Sequence, residues 1–191
     1  MRNRISRMVA FGGSLVALSL IGISAPQQAQ AQVTTGPQRL LGALLSTGGY
    51  WFTSASATRA LGTPKFYNQQ ALHGRSAALG GFRVTGGFEF IQINDHFFPF
   101  TSGNSLSYYG MSARATTPSV SKFRPYATVG LYVAVLDSKQ LAYSSTALVP
   151  SLAIGAEYKI NNYVRLAFDY RVSGQIGNVN TDGFSISVRI F

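Results

Sequence analysis

Apolar and polar residues alternate with a period of two along much of the second half of the chain. Residues 155–172, GAEYKINNYVRLAFDYRV, show the pattern most clearly. The apolar positions in and beside this segment are Ile154, Ala156, Tyr158, Ile160, Val164, Leu166, Phe168, Tyr170 and Val172. The charged residues on the alternate positions are Glu157, Lys159, Arg165, Asp169 and Arg171. The pattern predicts two β-strands, each with one apolar and one charged face, joined at the two asparagines.

The turn between these two strands can be placed by asking which register keeps the faces apart. A two-residue loop would set Tyr158 opposite Arg165 and would mix the faces. A three-residue loop over 161–163 pairs Tyr158 with Leu166 and Ala156 with Phe168, because opposed residues of an antiparallel pair share a face. Asparagine tolerates the left-handed backbone that such a turn needs. We therefore predict the three-residue loop.

Similar period-two segments recur and predict eight strands, at 48–60, 75–84, 86–94, 105–115, 123–136, 148–160, 164–173 and 183–191. Short connections alternate with long ones, which lie at 61–74, 95–104, 137–147 and 174–182. This alternation is typical of outer-membrane barrels, which have short periplasmic turns and long extracellular loops. The stretch FEFIQI breaks the alternation and predicts a bulge or a bend in the third strand. Residues 40–45 are the one short helical candidate beyond the N-terminal segment.

The apolar faces could point into a soluble barrel or outward into lipid. In the last strand, Phe184, Ile186, Val188 and Ile190 alternate with Ser185, Ser187 and Arg189. Eight strands enclose room for side chains and little else, so small and polar residues suit the lumen better than the bulky apolar set. A membrane barrel points that set at hydrocarbon. We therefore predict an all-β protein, an eight-stranded antiparallel up-and-down transmembrane β-barrel.

The first 31 residues have the organisation of an export signal. Three arginines within seven residues are followed by an uncharged apolar run at 8–23 and by Ala-Gln-Ala at 29–31, a small-x-small cleavage pattern. A retained anchor is the alternative, but this run is shorter than the roughly 20 apolar residues of a membrane-spanning helix. The predicted organisation is a cleaved signal peptide at 1–31, a short periplasmic segment at 32–47 and an outer-membrane barrel at 48–191.

Charge and cysteine content narrow the function classes further. The formal net charge is +10, and removing the three arginines of the signal leaves +7 (10 − 3). The basic residues are scattered singly and form no patch, which disfavours a nucleic-acid partner. The chain has no cysteine, which excludes a lipid-anchored lipoprotein and any disulfide. We expect a monomer that binds no cofactor.

Strand parity places a set of charged residues inside the barrel: Arg83, Glu89, Arg114, Glu157, Lys159, Arg165, Asp169, Arg171 and Arg189. Glu157 is expected to pair with Lys159 and Arg165, and Asp169 is expected to lie near Arg165 and Arg171, which are four and two residues away on the same face. Buried charges must be paired, because a lone buried ion costs several kcal/mol. Basic residues outnumber acids by six to three in this set. Water or an anion is therefore expected to complete a network that plugs the lumen.

The segments RPYATVGLYVAVLD and PSLAIGAEYKINNYVRLAFDYRV resemble the second half of the opacity-type, OmpA-like small outer-membrane β-barrel family, and ALGGFRV resembles its second strand more loosely. The resemblance implies location in the cell outer membrane, contact with its lipid and lipopolysaccharide, and insertion by the barrel-assembly machinery. Members of this family usually end in an aromatic residue in register with the outward face. Here Ile190 is in register, and Phe191 lies one residue beyond it.

Two histidines provide the best candidates for chemistry. A His in one loop with an Asp or Ser in the next is similar to the arrangement in lipid-modifying outer-membrane enzymes, and here the residues would be His73, Ser76, Asp95 and His96. A nucleophile needs its base within hydrogen-bond reach, and nothing in the spacing demands that geometry. No third ligand stands at a metal-site spacing. We predict no catalytic, cofactor or metal site.

The proposed extracellular end carries two groups that could bind partners. The sequence His96-Phe97-Phe98-Pro99-Phe100 is either an adhesive surface loop or, as we favour, part of the aromatic girdle at the membrane interface. Tyr158, Tyr163 and Tyr170 are predicted to be interfacial anchors. Arg59, Lys65, Arg75 and Lys139 could contact lipid phosphates or could be solvated loop charges.

These observations predict a non-enzymatic barrel with a structural or adhesive role at the cell surface. It would act through its extracellular loops on a surface protein or host receptor. A narrow passive channel, a lipid-modifying enzyme and a soluble ligand-binding barrel are the alternatives.

Overall fold

A computed structural model of the protein describes residues 42–79, 81–96, 103–117 and 122–191. The predicted signal segment 1–31 and residues 32–41 lie outside this part. The described elements are β1 (Gly42–Phe52), α1 (Ala55–Leu61), β2 (Lys65–Leu79), β3 (Phe82–Asn94), β4 (Ser105–Thr116), β5 (Phe123–Ser138), β6 (Tyr143–Lys159), β7 (Val164–Ser173) and β8 (Gly183–Ile190). Each strand pairs antiparallel with the next, and β8 pairs with β1 to close the barrel. The predicted fold class is confirmed.

The two ends of the barrel differ. The end that carries α1 and the segments 139–142 and 174–182 is called the loop end. The opposite end carries the connections β2–β3, β4–β5 and β6–β7, together with the start of β1 and the end of β8, and is called the turn end. No helix in the described part of the chain is long and apolar enough to cross a membrane.

The strands reach further toward the loop end than the sequence predicts. β2 begins at Lys65, so most of the predicted loop 61–74 is strand. The predicted loop 137–147 is reduced to residues 139–142, because β5 and β6 remain paired as far as Ser138 and Tyr143. Long and short connections therefore do not alternate strictly.

The first strand differs most from its prediction. β1 begins at Gly42, so residues 42–47, which we expected in a periplasmic segment and partly in a helix, belong to the barrel wall. The predicted strand 48–60 divides into the end of β1 and the helix α1. The hydroxyl of Ser54 accepts a hydrogen bond from the N–H of Ala57 at 3.1 Å and caps the helix, and Gly62 ends it with φ +81°.

The register of the β6–β7 hairpin is the predicted one. Tyr158 pairs with Leu166, and Ala156 pairs with Phe168. The side chain of Asn161 accepts hydrogen bonds from the N–H groups of Tyr163 and Val164, each at 2.8 Å, which stabilises the turn. Of the bulge or bend predicted in the third strand, the bulge is wrong. β3 pairs with β4 without interruption, and the register shift lies in β2, between His73 and Ser76.

The assignment of faces is also confirmed. Leu166 and Ile154 are exposed on the outer surface, at 45% and 60%, whereas Ala153 and Ala167 face inward and are each 1% exposed. Apolar side chains that are 39–60% exposed recur on alternate positions of β4 to β8 and form an outer belt: Tyr109, Met111, Val129, Leu131, Val133, Leu152, Ile154, Phe168, Val172, Ile186 and Val188. This belt fits a lipid environment.

The interior changes character along the barrel axis. The inward residues of β5, from the turn end to the loop end, are Arg124, Tyr126, Thr128, Gly130, Tyr132, Ala134, Leu136 and Ser138. The loop half of the lumen holds one apolar cluster: Tyr50, Phe52, Ala57, Ala60, Leu61, Tyr67, Ile91, Ile93, Leu106, Tyr108, Tyr132, Ala134, Leu136, Val149, Ile176 and Val179. The expectation of a small and polar lumen is right for the turn half and wrong for the loop half. There α1 and residues 174–182 cover the mouth, so apolar side chains pack together as in a soluble core.

Candidate functional site

Glu157 is the centre of a charged cluster in the turn half of the lumen. Its carboxylate accepts a hydrogen bond from Arg114 at 3.2 Å and from Arg165 at 2.5 Å, and Arg189 lies at 3.6 Å. Glu157, Arg114 and Arg189 are buried, at 2%, 5% and 2% exposure. Three arginines from β4, β7 and β8 thus converge on one carboxylate of β6, which ties four strands together.

Asp169 and Tyr126 extend this cluster along the axis. Asp169 accepts hydrogen bonds from the Tyr126 hydroxyl at 2.7 Å and from Arg189 at 3.0 Å. The guanidinium carbon of Arg114 lies 3.8 Å from the centre of the Tyr126 ring, and that of Arg189 lies 4.7 Å away. Stacking of this kind stabilises a guanidinium group where it has few oxygen partners.

A second polar group lies nearer the middle of the lumen. The Tyr132 hydroxyl donates to Glu89 at 2.8 Å, and His73 Nε2 lies 3.8 Å from the same carboxylate. Arg171 donates to the Ser151 hydroxyl at 3.1 Å, and its guanidinium lies 5.8 Å from the Tyr132 ring centre. These groups form the boundary between the charged and the apolar halves of the lumen.

The nine residues predicted for the lumen do not all lie in this network. Glu89, Arg114, Glu157, Asp169, Arg171 and Arg189 are buried inside. Arg165 and Lys159 are half-buried at the turn end, and Arg83 is exposed. Arg83 occupies one of the alternate positions that face inward, but it lies at the end of the β2–β3 hairpin. There its pairing with Thr116 is the last one between β3 and β4.

The pairings differ from those expected from spacing within one hairpin. Among the described residues, Glu157 pairs with Arg114 and Arg189 in addition to Arg165, and not with Lys159. Asp169 pairs with Arg189, and not with Arg165 or Arg171. Residues two apart on a strand stand side by side about 6.6 Å apart. Side chains that reach across the narrow lumen come closer, and spacing along one strand does not reveal them.

The loop end of the lumen is closed by α1 and residues 174–182. The buried residue Thr181 accepts a hydrogen bond from Tyr50 at its carbonyl, at 3.1 Å, and its hydroxyl is 2.7 Å from that of Tyr108. Ser54 donates to the carbonyl of Asn180. Ser138 donates to the carbonyl of Ala60, which joins α1 to the end of β5. The two segments are therefore bonded to the wall and to each other.

A polar clamp joins the rim of the loop end. Lys65 of β2 forms an ion pair with Asp95, which also accepts a hydrogen bond from the N–H of Asn104 at 2.7 Å. The Asn104 side chain accepts a hydrogen bond from the N–H of Lys139 at 2.8 Å. Partial burial alone would raise the pKa of the Asp95 carboxyl, but the hydrogen bonds from Lys65 and Asn104 outweigh it and lower that pKa.

The structure separates the residues considered for catalysis. His73 lies in β2 at the level where β1 begins, since it pairs with Gly42, and not in a long loop. Asp95 and His96 follow β3 at the loop end. His73 is eight residues, or about 26 Å, beyond Lys65 along β2, and Lys65 is the residue that contacts Asp95. His73 and Asp95 are therefore far apart along the barrel, and the histidines, Ser76 and Asp95 form no common site.

The four residues predicted to contact lipid phosphate also lie in different parts of the structure. Arg59 on α1 and Lys139 are exposed at the loop end. Lys65 is 7% exposed because it pairs with Asp95, so it is not available to lipid. Arg75 belongs to the part of β2 beyond His73, at the turn end, and the extracellular position predicted for it is wrong. His96 is exposed, whereas Phe97, Phe98 and Phe100 lie outside the described residues.

Sequence reasoning missed three inward tyrosines of the loop half, Tyr50, Tyr67 and Tyr108, whereas the alternation along β5 places the fourth, Tyr132, inward. The Tyr132 ring covers Gly130, where an added Cβ would come within 2.6 Å of the ring. Tyr50 covers Gly183 of the neighbouring strand in the same way. A glycine at an inward-facing position next to an aromatic residue is the sequence feature that could have indicated these tyrosines.

The family model for the outer membrane protein beta-barrel domain matches residues 15–190. The chain belongs to this family. It is an outer-membrane β-barrel, and the resemblance to small OmpA-like barrels is confirmed. In barrels of this class the short turns face the periplasm, so the turn end is periplasmic and the loop end extracellular.

Solved structures of three barrels are similar to the chain. Neisserial surface protein A (NspA) is 20% identical with a TM-score of 0.46, covering 78% of this chain and 94% of that chain. Ail, the attachment invasion locus protein of Yersinia pestis, is 13% identical with a TM-score of 0.45, covering 78% and 97%. A de novo designed transmembrane β-barrel is 10% identical with a TM-score of 0.43, covering 78% and 92%. No curated protein matches the chain.

Proposed function

We propose that this barrel is non-enzymatic and acts in surface interaction, binding an extended segment of another protein at its loop end. The observation that carries the proposal is the β5–β6 hairpin. β7 pairs with β6 only as far as Ser151 and Ser173, while β6 continues to Tyr143. On the β7 side, no strand of the described chain pairs with residues 143–149. A free strand edge offers a row of backbone donors and acceptors to which another strand can add.

The groups at this edge can be named from the hydrogen-bond pattern. The carbonyl of Pro150 accepts from the N–H of Gly174 at 2.9 Å, so the backbone groups of Pro150 point to the β7 side. Successive residues of an antiparallel strand direct their backbone groups to alternate sides. Ser144, Thr146 and Leu148 therefore present theirs at the free edge. The side chains of these three residues are exposed.

Substitution of Thr146 tests the proposal. Thr146→Pro removes one N–H from the free edge and leaves the bonds to β5 in place, because proline is tolerated on an edge strand. Thr146→Val keeps the N–H and is the matched control. Bacteria that display the wild type should adhere to one another or to host-cell layers more than cells without the protein. Thr146→Pro should lose most of that adhesion, and Thr146→Val should keep it.

Heat-modifiable migration in detergent gels verifies that each Thr146 variant is folded. Equal adhesion by the wild type and both folded variants would contradict strand addition at β6. Adhesion equal to that of cells lacking the protein would contradict the surface-interaction role itself.

Arg59 and Lys139 are proposed to contact phosphates of lipopolysaccharide, because both are exposed at the extracellular end and charge-assisted contacts to phosphate are strong. The alternative is that they are solvated charges. Lipopolysaccharide added to the detergent-folded protein should raise its unfolding temperature. The double variant Arg59→Gln/Lys139→Gln should lose most of this gain. An unchanged gain would support the solvated charges.

Export through a cleaved signal is part of the same proposal. The mature protein is expected to begin at Gln32, since residues 29 and 31 are the small residues of the cleavage pattern. N-terminal sequencing of protein purified from outer membranes checks this, and a start at Met1 would contradict it. Insertion is proposed to use the barrel-assembly machinery, with the last strand ending at the outward Ile190 followed by Phe191.

A further inference from the structure

The periplasmic end of the lumen has an excess of positive charge. Its mouth, called the turn-end mouth, is formed by Arg83, Lys122, Arg124, Lys159 and Arg165. The chain has six acidic residues, and three of them, Asp95, Asp137 and Asp182, lie at the loop end. Glu157 lies between the turn-end mouth and the buried Arg114 and Arg189, and it is the acidic residue that both groups have in common. The extracellular function proposed for the β5–β6 hairpin does not use this charge.

Four guanidinium groups surround the Glu157 carboxylate. Arg114, Arg165 and Arg189 contact it directly, and Arg124 is its partner across the β5–β6 register. One carboxylate has two oxygens, whereas each guanidinium has five N–H donors. Glu157 therefore cannot satisfy four arginines. Asp169, which pairs with Arg189, supplies a second carboxylate, so the four arginines and these two acids keep a net charge of +2 (4 − 2), which a further anion would offset.

The donors left over are buried. The Nε atoms of Arg114, Arg124, Arg165 and Arg189 have no hydrogen-bond partner among the described residues. Arg189 Nη1 forms its ion pair with Glu157 at 3.6 Å but makes no hydrogen bond there. The Arg189 side chain is 2% exposed and that of Arg114 is 7% exposed. Buried polar groups are nearly always paired in native proteins. Among the described residues, the unpaired guanidinium donors of this half of the lumen outnumber the one unpaired carboxylate oxygen, Asp169 Oδ1, so they point to an added acceptor.

We propose that the turn-end mouth is a binding site for a phosphate group from the periplasmic side. The planar fork of an arginine matches two oxygens of a phosphate, and a doubly charged phosphate offsets more of the positive charge than a carboxylate does. The half-buried Arg124 and Arg165 and the exposed Lys122 lead from the rim to the buried donors, so the group can enter from that side. Free inorganic phosphate and the headgroup of an anionic phospholipid share this chemistry.

Titration of the mature, full-length barrel in a nonionic detergent tests the site. Inorganic phosphate is added in one series, and a short-chain phosphatidylglycerol in the other, with the phosphatidylcholine analogue as its control. Binding is measured by calorimetry and by ³¹P line broadening. Saturable binding of phosphate, weakened by salt, supports a free ion as the ligand. Binding of phosphatidylglycerol without binding of free phosphate supports the same site with a lipid headgroup as the source.

Charge-removing variants locate the site. Arg124→Gln and Lys159→Gln remove positive charge at the turn-end mouth without touching the ion pairs of Glu157, and Arg59→Gln and Lys139→Gln remove the same charge at the loop end. Loss of one charged hydrogen bond should weaken binding at least about 10-fold in Arg124→Gln. The loop-end variants should stay within about 2-fold of the wild type, since exposed charges more than a Debye length away are screened.

Three results would overturn the proposal. The first is no saturable binding of either probe up to about 10 mM, a concentration beyond the millimolar affinity of weak complexes. The second is acetate binding as tightly as phosphate, which would mean that the mouth accepts any anion. The third is equal weakening by variants at both ends, which would make the effect one of net charge alone.

Discussion

At the scale of the residue, Glu157 is the position where a single change should destabilise the barrel most. Removing its carboxylate leaves Arg114 and Arg189 buried with less negative charge nearby. Breaking a buried ion pair costs about 3–5 kcal/mol, because the remaining charge stays desolvated. We expect Glu157→Ala to lower the free energy of unfolding by about that amount in urea titrations followed by tyrosine and tryptophan fluorescence.

Asp137→Ala is the control for Glu157→Ala, since Asp137 is an exposed acid at the loop end. It should change the unfolding free energy by less than about 0.5 kcal/mol. Equal effects of the two substitutions would mean that the cluster around Glu157 adds no stability.

A second prediction for single residues concerns the cost in stability of placing arginine in the outer belt. Ile154 is 60% exposed on β6 and faces the lipid between the two ends of the barrel. Arginine there should cost roughly 2–4 kcal/mol, the cost near the middle of a bilayer. Leu148 lies on the same face of the same strand, six positions nearer the loop end, so Leu148→Arg should cost about 0–1 kcal/mol. Unfolding of both variants from lipid vesicles measures the difference, and a larger cost at Leu148 would place the membrane elsewhere on the barrel.

The direction of a side chain inside the barrel could be predicted from the sequence only where the alternation within its own strand was enough to determine it. Parity along β8 suffices to place Ser185, Ser187 and Arg189 inward, and they are buried. It does not reveal that Arg189 reaches Glu157 of β6, because such a contact depends on the width and tilt of the whole barrel. The pairings across the lumen therefore required the structure.

At the scale of the element, the clamp at Asp95 makes the loop end sensitive to acid. The pKa of Asp95 is lowered in the folded protein, so its contribution to stability is present above the unfolded pKa of about 4 and is lost as pH falls through the folded value. Acidification below about pH 4 should therefore loosen the Lys65–Asp95 contact between β2 and the β3–β4 connection. The protection factor of the Asn104 amide against hydrogen exchange should therefore fall in this pH range, because its hydrogen bond to Asp95 is lost.

The variant Asp95→Asn tests the clamp. It should show fast Asn104 exchange at neutral pH and lose the added acid dependence, whereas Asp137→Asn should behave as the wild type. Retained acid dependence in Asp95→Asn would assign the effect to another group.

The elements themselves were predictable where the two faces of a strand meet different surroundings. β7 and β8 alternate between lipid and a polar lumen, so their period is visible in the sequence. β1 has aromatic residues on both faces, with Tyr50 and Phe52 buried inside and Trp51 stacked on Phe184 at 5.2 Å, so its alternation is hidden.

The helix α1 is seven residues long. Its signals were Ser54 before it, Gly62 and Pro64 after it, and inward residues spaced three and four apart at Ala57, Ala60 and Leu61.

At the scale of the whole molecule, the lumen is blocked twice along its axis. The apolar core under α1 closes the loop half, and the ion pairs around Glu157 fill the turn half. Two barriers in series oppose current independently, so planar-bilayer recordings of the wild type should show small and rare openings. Either Glu157→Ala or Ala60→Glu alone should change this little, because the other barrier remains. The double variant should conduct far more often than the sum of the two single variants.

The same planar-bilayer recordings could contradict the blocked lumen. A large, steady conductance of the wild type that neither substitution alters would mean that ions pass through the lumen despite both groups of side chains.

The apolar cluster inside the barrel also has a thermodynamic consequence. A barrel whose lumen is polar and whose outer face remains in detergent or lipid exposes little apolar surface to water when it unfolds. Here unfolding would hydrate side chains such as Leu106, Tyr108 and Leu136, each 0% exposed in the native state. Hydration of apolar surface raises the heat capacity by about 0.45 cal/K/mol per Å². The stability of this membrane protein should therefore curve with temperature as that of a water-soluble domain does, and weaken on strong cooling as well as on heating.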